Sequence, residues 1–146
     1  MNQASASHSS RRAVVLAGGQ GTRLRPYTTV LPKPLLPVGD RPILEHVLKR
    51  LTEAGFGDVT LSVGHLGELI QVFFGDGMRF GMSIEYAVED VPLGTIGPLA
   101  RIERLGENFL VMNGDILTDL EIPELIESHL ATSAAATIAT YTRRQE

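Results

Sequence analysis

The segment from Ala13 to Val38 constrains the fold of this chain more than any other. It opens with the apolar run Ala13-Val14-Val15-Leu16-Ala17 and passes into Gly18-Gly19-Gln20-Gly21-Thr22-Arg23-Leu24-Arg25-Pro26. It then reaches Pro32-Lys33-Pro34-Leu35-Leu36-Pro37-Val38. A short apolar run ending in glycines reads as a buried parallel strand. Pro26, Pro32, Pro34 and Pro37 exclude a helix from the next stretch, so residues 18–38 form a long ordered loop. Loops of this length inside compact domains are usually functional. Glycines let backbone N–H groups approach an anion and converge on it as a nest. Arg23 and Lys33 add cations whose geometries suit phosphate oxygens. The segment reads as a strand end built to hold a polyphosphate.

Downstream, the hydrophobic spacing alternates between the two periods. Ile43, Leu44, Val47, Leu48 and Leu51 follow a helical repeat behind Pro42, which suits a first turn. Gly55 and Gly57 close that helix and lead into a strand at Val59–Val63. A second helix is predicted over Leu66–Phe74 and a strand over Met82–Val88. A helix over Thr95–Leu105 and a strand over Phe109–Met112 follow, the strand ending at Asn113-Gly114-Asp115. Pro123–Leu130 reads as a helix and Ala135–Tyr141 as a last strand. This order implies a Rossmann-like α/β fold, a mainly parallel sheet between helical layers. Ligands in such sheets lie at the carboxyl ends of the strands, where both the glycine loop and Asp115 fall.

With 146 residues the chain is one domain at most. The polar, Ser- and Ala-rich residues 1–11 read as a disordered tail, without the apolar core of a signal peptide. No apolar run is long enough for a membrane span, and the expected location is the cytoplasm. The absence of cysteine removes disulfides and thiolate metal sites. Residues 11–50 carry eight Lys/Arg against two acids, whereas residues 51–146 carry five against fifteen, giving a net charge of −4. An acidic body with one basic segment suits a small anionic ligand and argues against a nucleic-acid partner. His8, His46, His65 and His129 have no metal-ligand spacing, and Asp40 and Asp119 read as capping or surface residues.

The glycine loop differs from two better-known phosphate loops. A dinucleotide fingerprint needs glycine where Leu24 stands and a helix opening at once, and a Walker A loop needs Gly-Lys-Ser/Thr, which does not occur. Residues Leu16–Val38 instead resemble the signature of the sugar-1-phosphate nucleotidyltransferases, Gly-Gly-x-Gly-Thr-Arg-Leu-x-Pro followed by Pro-Lys-Pro. The resemblance extends through Arg41-Pro42-Ile43-Leu44 and the glycine turn at residues 75–81. It continues through Glu89-Asp90-Val91-Pro92-Leu93-Gly94-Thr95 and Asn113-Gly114-Asp115, covering residues 12–142.

The resemblance implies a nucleotide-diphospho-sugar transferase fold and a nucleotide site formed by Leu16, Ala17, Gly18, Gly19, Gly21, Thr22, Glu89, Gly94 and Thr95. In it, amides of Gly18, Gly19, Gly21 and Thr22 cradle the triphosphate of an NTP, and Glu89 with Gly94-Thr95 faces the base. Arg23 and Lys33 are the implied catalytic cations, neutralising charge on the α-phosphate and departing pyrophosphate. Asp115 is the implied Mg²⁺ ligand, and a sugar 1-phosphate is the implied co-substrate. Many members of that family carry Gln at the place of Glu89. A carboxylate only accepts hydrogen bonds, which suits the N1–H and amino donors of guanine and favours GTP over dTTP or UTP.

Family catalytic domains run further, with strands that supply most of the sugar site and a second metal aspartate. The expectation for residues 12–146 is therefore an incomplete, truncated domain that awaits a carboxy-terminal part or self-associates. A non-catalytic nucleotide-binding module, or an inactive fragment, stands as the alternative to an enzyme.

Overall fold

The computed structural model describes residues 11–91 and 94–142. Strand β1 (Arg11–Leu16) lies inside a four-stranded sheet. The long loop then winds through three short 3-10 turns, at Thr22–Leu24, Tyr27–Thr29 and Lys33–Leu35. These are as much helical structure as its prolines permit. It ends in a two-residue hairpin, β2 (Pro37–Val38) against β3 (Arg41–Pro42), which delivers the chain to helix α1 (Ile43–Glu53). Strand β4 (Phe56–Val63), helix α2 (Gly67–Phe74) and strand β5 (Ser83–Val88) follow. Strand β6 (Phe109–Asn113) and helix α3 (Ile122–Thr132) complete the regular elements.

The sheet order is β5-β4-β1-β6, with every pairing parallel. Because β4 and β6 flank β1 on opposite sides, the strand order reverses beside β1, and a crevice opens there beyond the carboxyl ends. Register places Ala13, Val15, Val59, Leu61, Val63 and Ile84 on one face of the sheet. They form one buried cluster with Leu44, Val47, Leu48 and Leu51 of α1, Ile70 and Phe74 of α2, and Ile122 of α3. Val14, Thr60 and Ser62 point to the other face and are also buried. The connection from β5 back to β6 crosses the sheet in the reverse direction. Right-handed crossing puts it on that second face, where it carries the buried Pro98.

Two expected elements are absent. Thr95–Leu105 forms only a 3-10 stretch, Gly97–Arg101. Gly97-Pro98 withdraws a backbone donor and helix propensity, and Arg104 and Gly106 adopt positive φ, 63° and 80°, just beyond. Ala135–Tyr141 has no strand and lies fully exposed. It joins no ladder among the described residues, and β-propensity is realised only in such pairing. Arg11 belongs to β1 rather than to the amino-terminal tail, and residues 1–10 of that tail lie outside the described residues.

Candidate nucleotide site

The glycine loop leaves β1 at the sheet's carboxyl edge and forms one wall of a cleft of about 900 Å³. Leu16, Ala17, Gly18, Gly19, Gly21, Thr22, Arg23 and Lys33 line it, facing Glu89, Gly94, Thr95 and Asp115. All twelve residues singled out in the sequence are therefore brought to one cavity. Pro92 and Leu93, between Glu89 and Gly94, lie outside the described residues. A second depression of about 550 Å³, lined by residues including Arg41, Lys49, Phe73 and Arg79, is away from the strand ends.

At one end of the cleft, Lys33 and Asp115 meet. Lys33 opens a 3-10 turn held by the buried Pro34 and Leu35, so its backbone is anchored while its side chain reaches out. Gly114 N–H donates to Leu16 O at 2.9 Å, which extends the β1–β6 pairing and carries Asp115 to the glycine loop. Lys33 Nζ donates to Asp115 Oδ2 at 2.5 Å. The two side chains are 33% and 30% exposed, so water screens the pair and its net worth is modest. Gly21 lies beside them with φ 60°, and its carbonyl accepts a hydrogen bond from Thr28 Oγ1 at 2.8 Å. A Cβ there would lie 2.8 Å from Thr28 Cγ2, so glycine is required both by conformation and by space.

The other end is organised by Glu89. Its N–H donates to Val63 O at 2.8 Å, continuing the β4–β5 ladder past Val88. Its carboxylate turns back over the strand ends and accepts a hydrogen bond from Ser62 Oγ at 2.7 Å. A Cβ on Gly18 would lie 2.8 Å from Glu89 Oε1 and 3.3 Å from Gly64 N. Gly18 is thus occupied with the Glu89 carboxylate, whereas Gly21 belongs with Lys33. The glycines of one motif serve two ends of the cleft.

Sequence reasoning missed Ser62 and Thr28, which hold Glu89 and Gly21 in place. The visible trace of Ser62 is that it and Thr60 are hydroxyl residues among the apolar positions of β4. His65 and Glu68 also line the cleft, although Glu68 reads as part of a solvated helix face.

Residues 12–146 match the family described as Nucleotidyl transferase. The chain belongs to the nucleotidyl transferase family. It is 37% identical over 148 residues to a UTP–glucose-1-phosphate uridylyltransferase of Synechocystis, covering 92% of this chain and 38% of that protein. It is 40% identical over 128 residues to a mannose-1-phosphate guanylyltransferase of Mycobacterium tuberculosis, covering 86% of this chain and 36% of the relative. Among solved structures, HddC of Yersinia pseudotuberculosis complexed with GMP-PN superposes with a TM-score of 0.72 at 30% identity. That superposition covers 82% of this chain and 54% of HddC. The chain thus spans between about a third and about half of the length of these relatives.

The donor set of the cleft is compatible with Mg²⁺ held through Asp115. Among the described residues no three His, Cys, Asp or Glu side chains converge on a common point. Asp115 offers one carboxylate, which matches the way Mg²⁺ is held by one or two carboxylates and completes its shell with waters and substrate phosphates. No helix among the described residues is long and apolar enough to cross a membrane.

Proposed function

We propose that this chain carries the NTP-binding part of a sugar-1-phosphate nucleotidyltransferase, with GTP as the preferred nucleotide. In the reaction, a phosphate oxygen of the sugar 1-phosphate attacks the α-phosphorus of the NTP. The bond to the β-phosphate breaks, giving an NDP-sugar and pyrophosphate. The observation that carries this reading is the gathering of a glycine loop, a lysine, an aspartate and a pinned glutamate along one cleft of about 900 Å³. Relatives that act on guanine, uracil and thymine nucleotides share the family, so the base preference rests on Glu89 alone.

Amides of Gly19, Gly21 and Thr22 receive phosphate oxygens, with Leu16, Ala17 and Gly18 under the nucleoside. Gly94, exposed and at φ 77°, and Thr95 close the base side. Lys33 exchanges its contact with Asp115 for a phosphate oxygen, and Arg23 at the same wall adds a second cation. Their positive charge stabilises negative charge gathering on the departing pyrophosphate. Asp115 would hold Mg²⁺, which supplies further charge neutralisation on the phosphates. The nucleophile is already anionic, so no general base is required. A cytoplasmic location accords with the use of an NTP as substrate.

The alternative reading is a module that binds nucleotide without transferring it. Pyrophosphate release from the purified chain with Mg²⁺, the four NTPs and a panel of sugar 1-phosphates separates the two. Release fastest with GTP, and reduced about 100- to 1,000-fold by Arg23→Ala or Lys33→Ala, supports the enzyme. Nucleotide binding without release supports the module, and a preference for UTP or dTTP overturns the guanine assignment.

A further inference from the structure

We infer that Ser62 is a specificity-determining positioning residue: its hydroxyl fixes the Glu89 carboxylate in the orientation that reads the base. The inference rests on the proposed guanine reading and extends it to a residue that touches no substrate.

Ser62 is completely buried near the end of β4, on the sheet face away from the helices. Its backbone carbonyl accepts the N–H of Ala17 at 2.8 Å, which ties β4 to the start of the glycine loop. Its hydroxyl donates to Glu89 Oε1 at 2.7 Å. One residue therefore fixes both the loop that lies under the nucleoside and the carboxylate that faces the base. The Glu89 backbone is held by its own bond to Val63 O, and the Ser62 hydroxyl acts on the side chain. Oε1 occupies the space that a Cβ on Gly18 would need, so the carboxylate is folded inward over the loop.

A carboxylate that bridges the N1–H and 2-amino groups of guanine needs both oxygens in the plane of the base. A serine hydroxyl that donates to one oxygen sets that plane and keeps the group as an acceptor. Without it, one restraint on the plane of the carboxylate is lost, and discrimination falls before all affinity does, because sugar and phosphate contacts are untouched. A site built around a hydrogen-bonded group rejects analogues that lack the group, and its selectivity depends on the fixed geometry of the protein partner.

The test is equilibrium binding of GTP, ITP and UTP to the whole 146-residue chain and its variants. ITP keeps N1–H and lacks the 2-amino group, so the GTP/ITP ratio reads the carboxylate's orientation. Ser62→Ala is expected to lower that ratio about tenfold, the scale of one lost charge-assisted hydrogen bond, while UTP affinity changes little. In a Glu89→Gln background, Ser62→Ala is expected to leave the ratio unchanged. Ser62→Cys, of similar size and a weak donor, serves where the alanine variant does not fold, and is expected to give a smaller drop in the same direction. If the unmodified chain prefers GTP and the Ser62 variants weaken all three nucleotides equally, Ser62 is merely structural and the inference fails. If the unmodified chain shows no GTP preference, the guanine reading fails first.

Discussion

At the scale of single residues, the Lys33–Asp115 contact makes the proposed metal ligand and the proposed phosphate compete for Lys33. While Lys33 sits 2.5 Å from Asp115, its charge partly offsets that of the carboxylate and weakens its hold on a divalent ion. Replacing Lys33 by Gln should therefore raise Mn²⁺ affinity in the absence of nucleotide by roughly threefold, the scale of a part-exposed ion pair. The same substitution should weaken NTP binding. Water-proton relaxation of Mn²⁺ titrated with the chain reads the first effect, and Asp115→Asn should abolish it. Unchanged Mn²⁺ affinity in Lys33→Gln would show that the pair does not restrain Asp115. Lys33 and Asp115 were both legible as isolated motifs, but their contact was not, because 82 residues of sequence separate them. The division of labour between Gly18 and Gly21 was hidden for the same reason. It is set by Glu89 and Thr28, which neither the spacing nor the composition of the loop reveals.

At the scale of elements, short-range patterns were reliable where a partner surface existed. The α1 stripe Leu44, Val47, Leu48 and Leu51 is fully buried as its spacing requires, and Arg50 on the same helix donates to the carbonyls of Thr118 and Leu120 beyond β6. Gly97-Pro98 and the unpaired Ala135–Tyr141 mark where periodicity misled, since donors and neighbouring strands decide those segments. The link between α2 and β5 yields a pH prediction. Tyr86 on β5 donates its hydroxyl to Gly75 O, at the end of α2, at 2.7 Å. Burial, and then the nearby Asp76 carboxylate, raise the Tyr86 pKa above its ordinary value of 10.0. The unfolded chain therefore loses this proton first. The stabilisation is fully present below pH 10.0 and is lost as pH rises through the higher native value. Thermal unfolding midpoints measured across alkaline pH should fall more steeply for the unmodified chain than for Tyr86→Phe. Parallel curves would remove Tyr86 from the account.

For the molecule as a whole, the question is what the sheet does with its open edges. Among the described residues, β5 and β6 each pair on one side only, leaving unpaired N–H and C=O groups along the other. The β6 edge is the more hazardous. Phe109 at its start is 37% exposed, and Ile116 and Leu117 just beyond it are 48% and 49% exposed. An edge with apolar flanks and no inward-pointing charge favours pairing with another copy of the chain. The expected outcome is reversible self-association, visible in sedimentation velocity as a weight-average mass that rises above 15.8 kDa with concentration. Phe109→Lys places a charge at the start of that edge, outside the lining of the candidate cleft. It should shift the distribution back toward monomer while nucleotide affinity is retained. The thermal midpoint of the unmodified chain should also rise with concentration, because association stabilises only the folded form. A monomer over a wide concentration range, with a midpoint independent of it, would show that β6 is protected by its short length and local twist alone. If Phe109→Lys associates as strongly as the unmodified chain, the contact lies elsewhere, and the exposed Val72 and Phe73 of α2 become the next surface to charge.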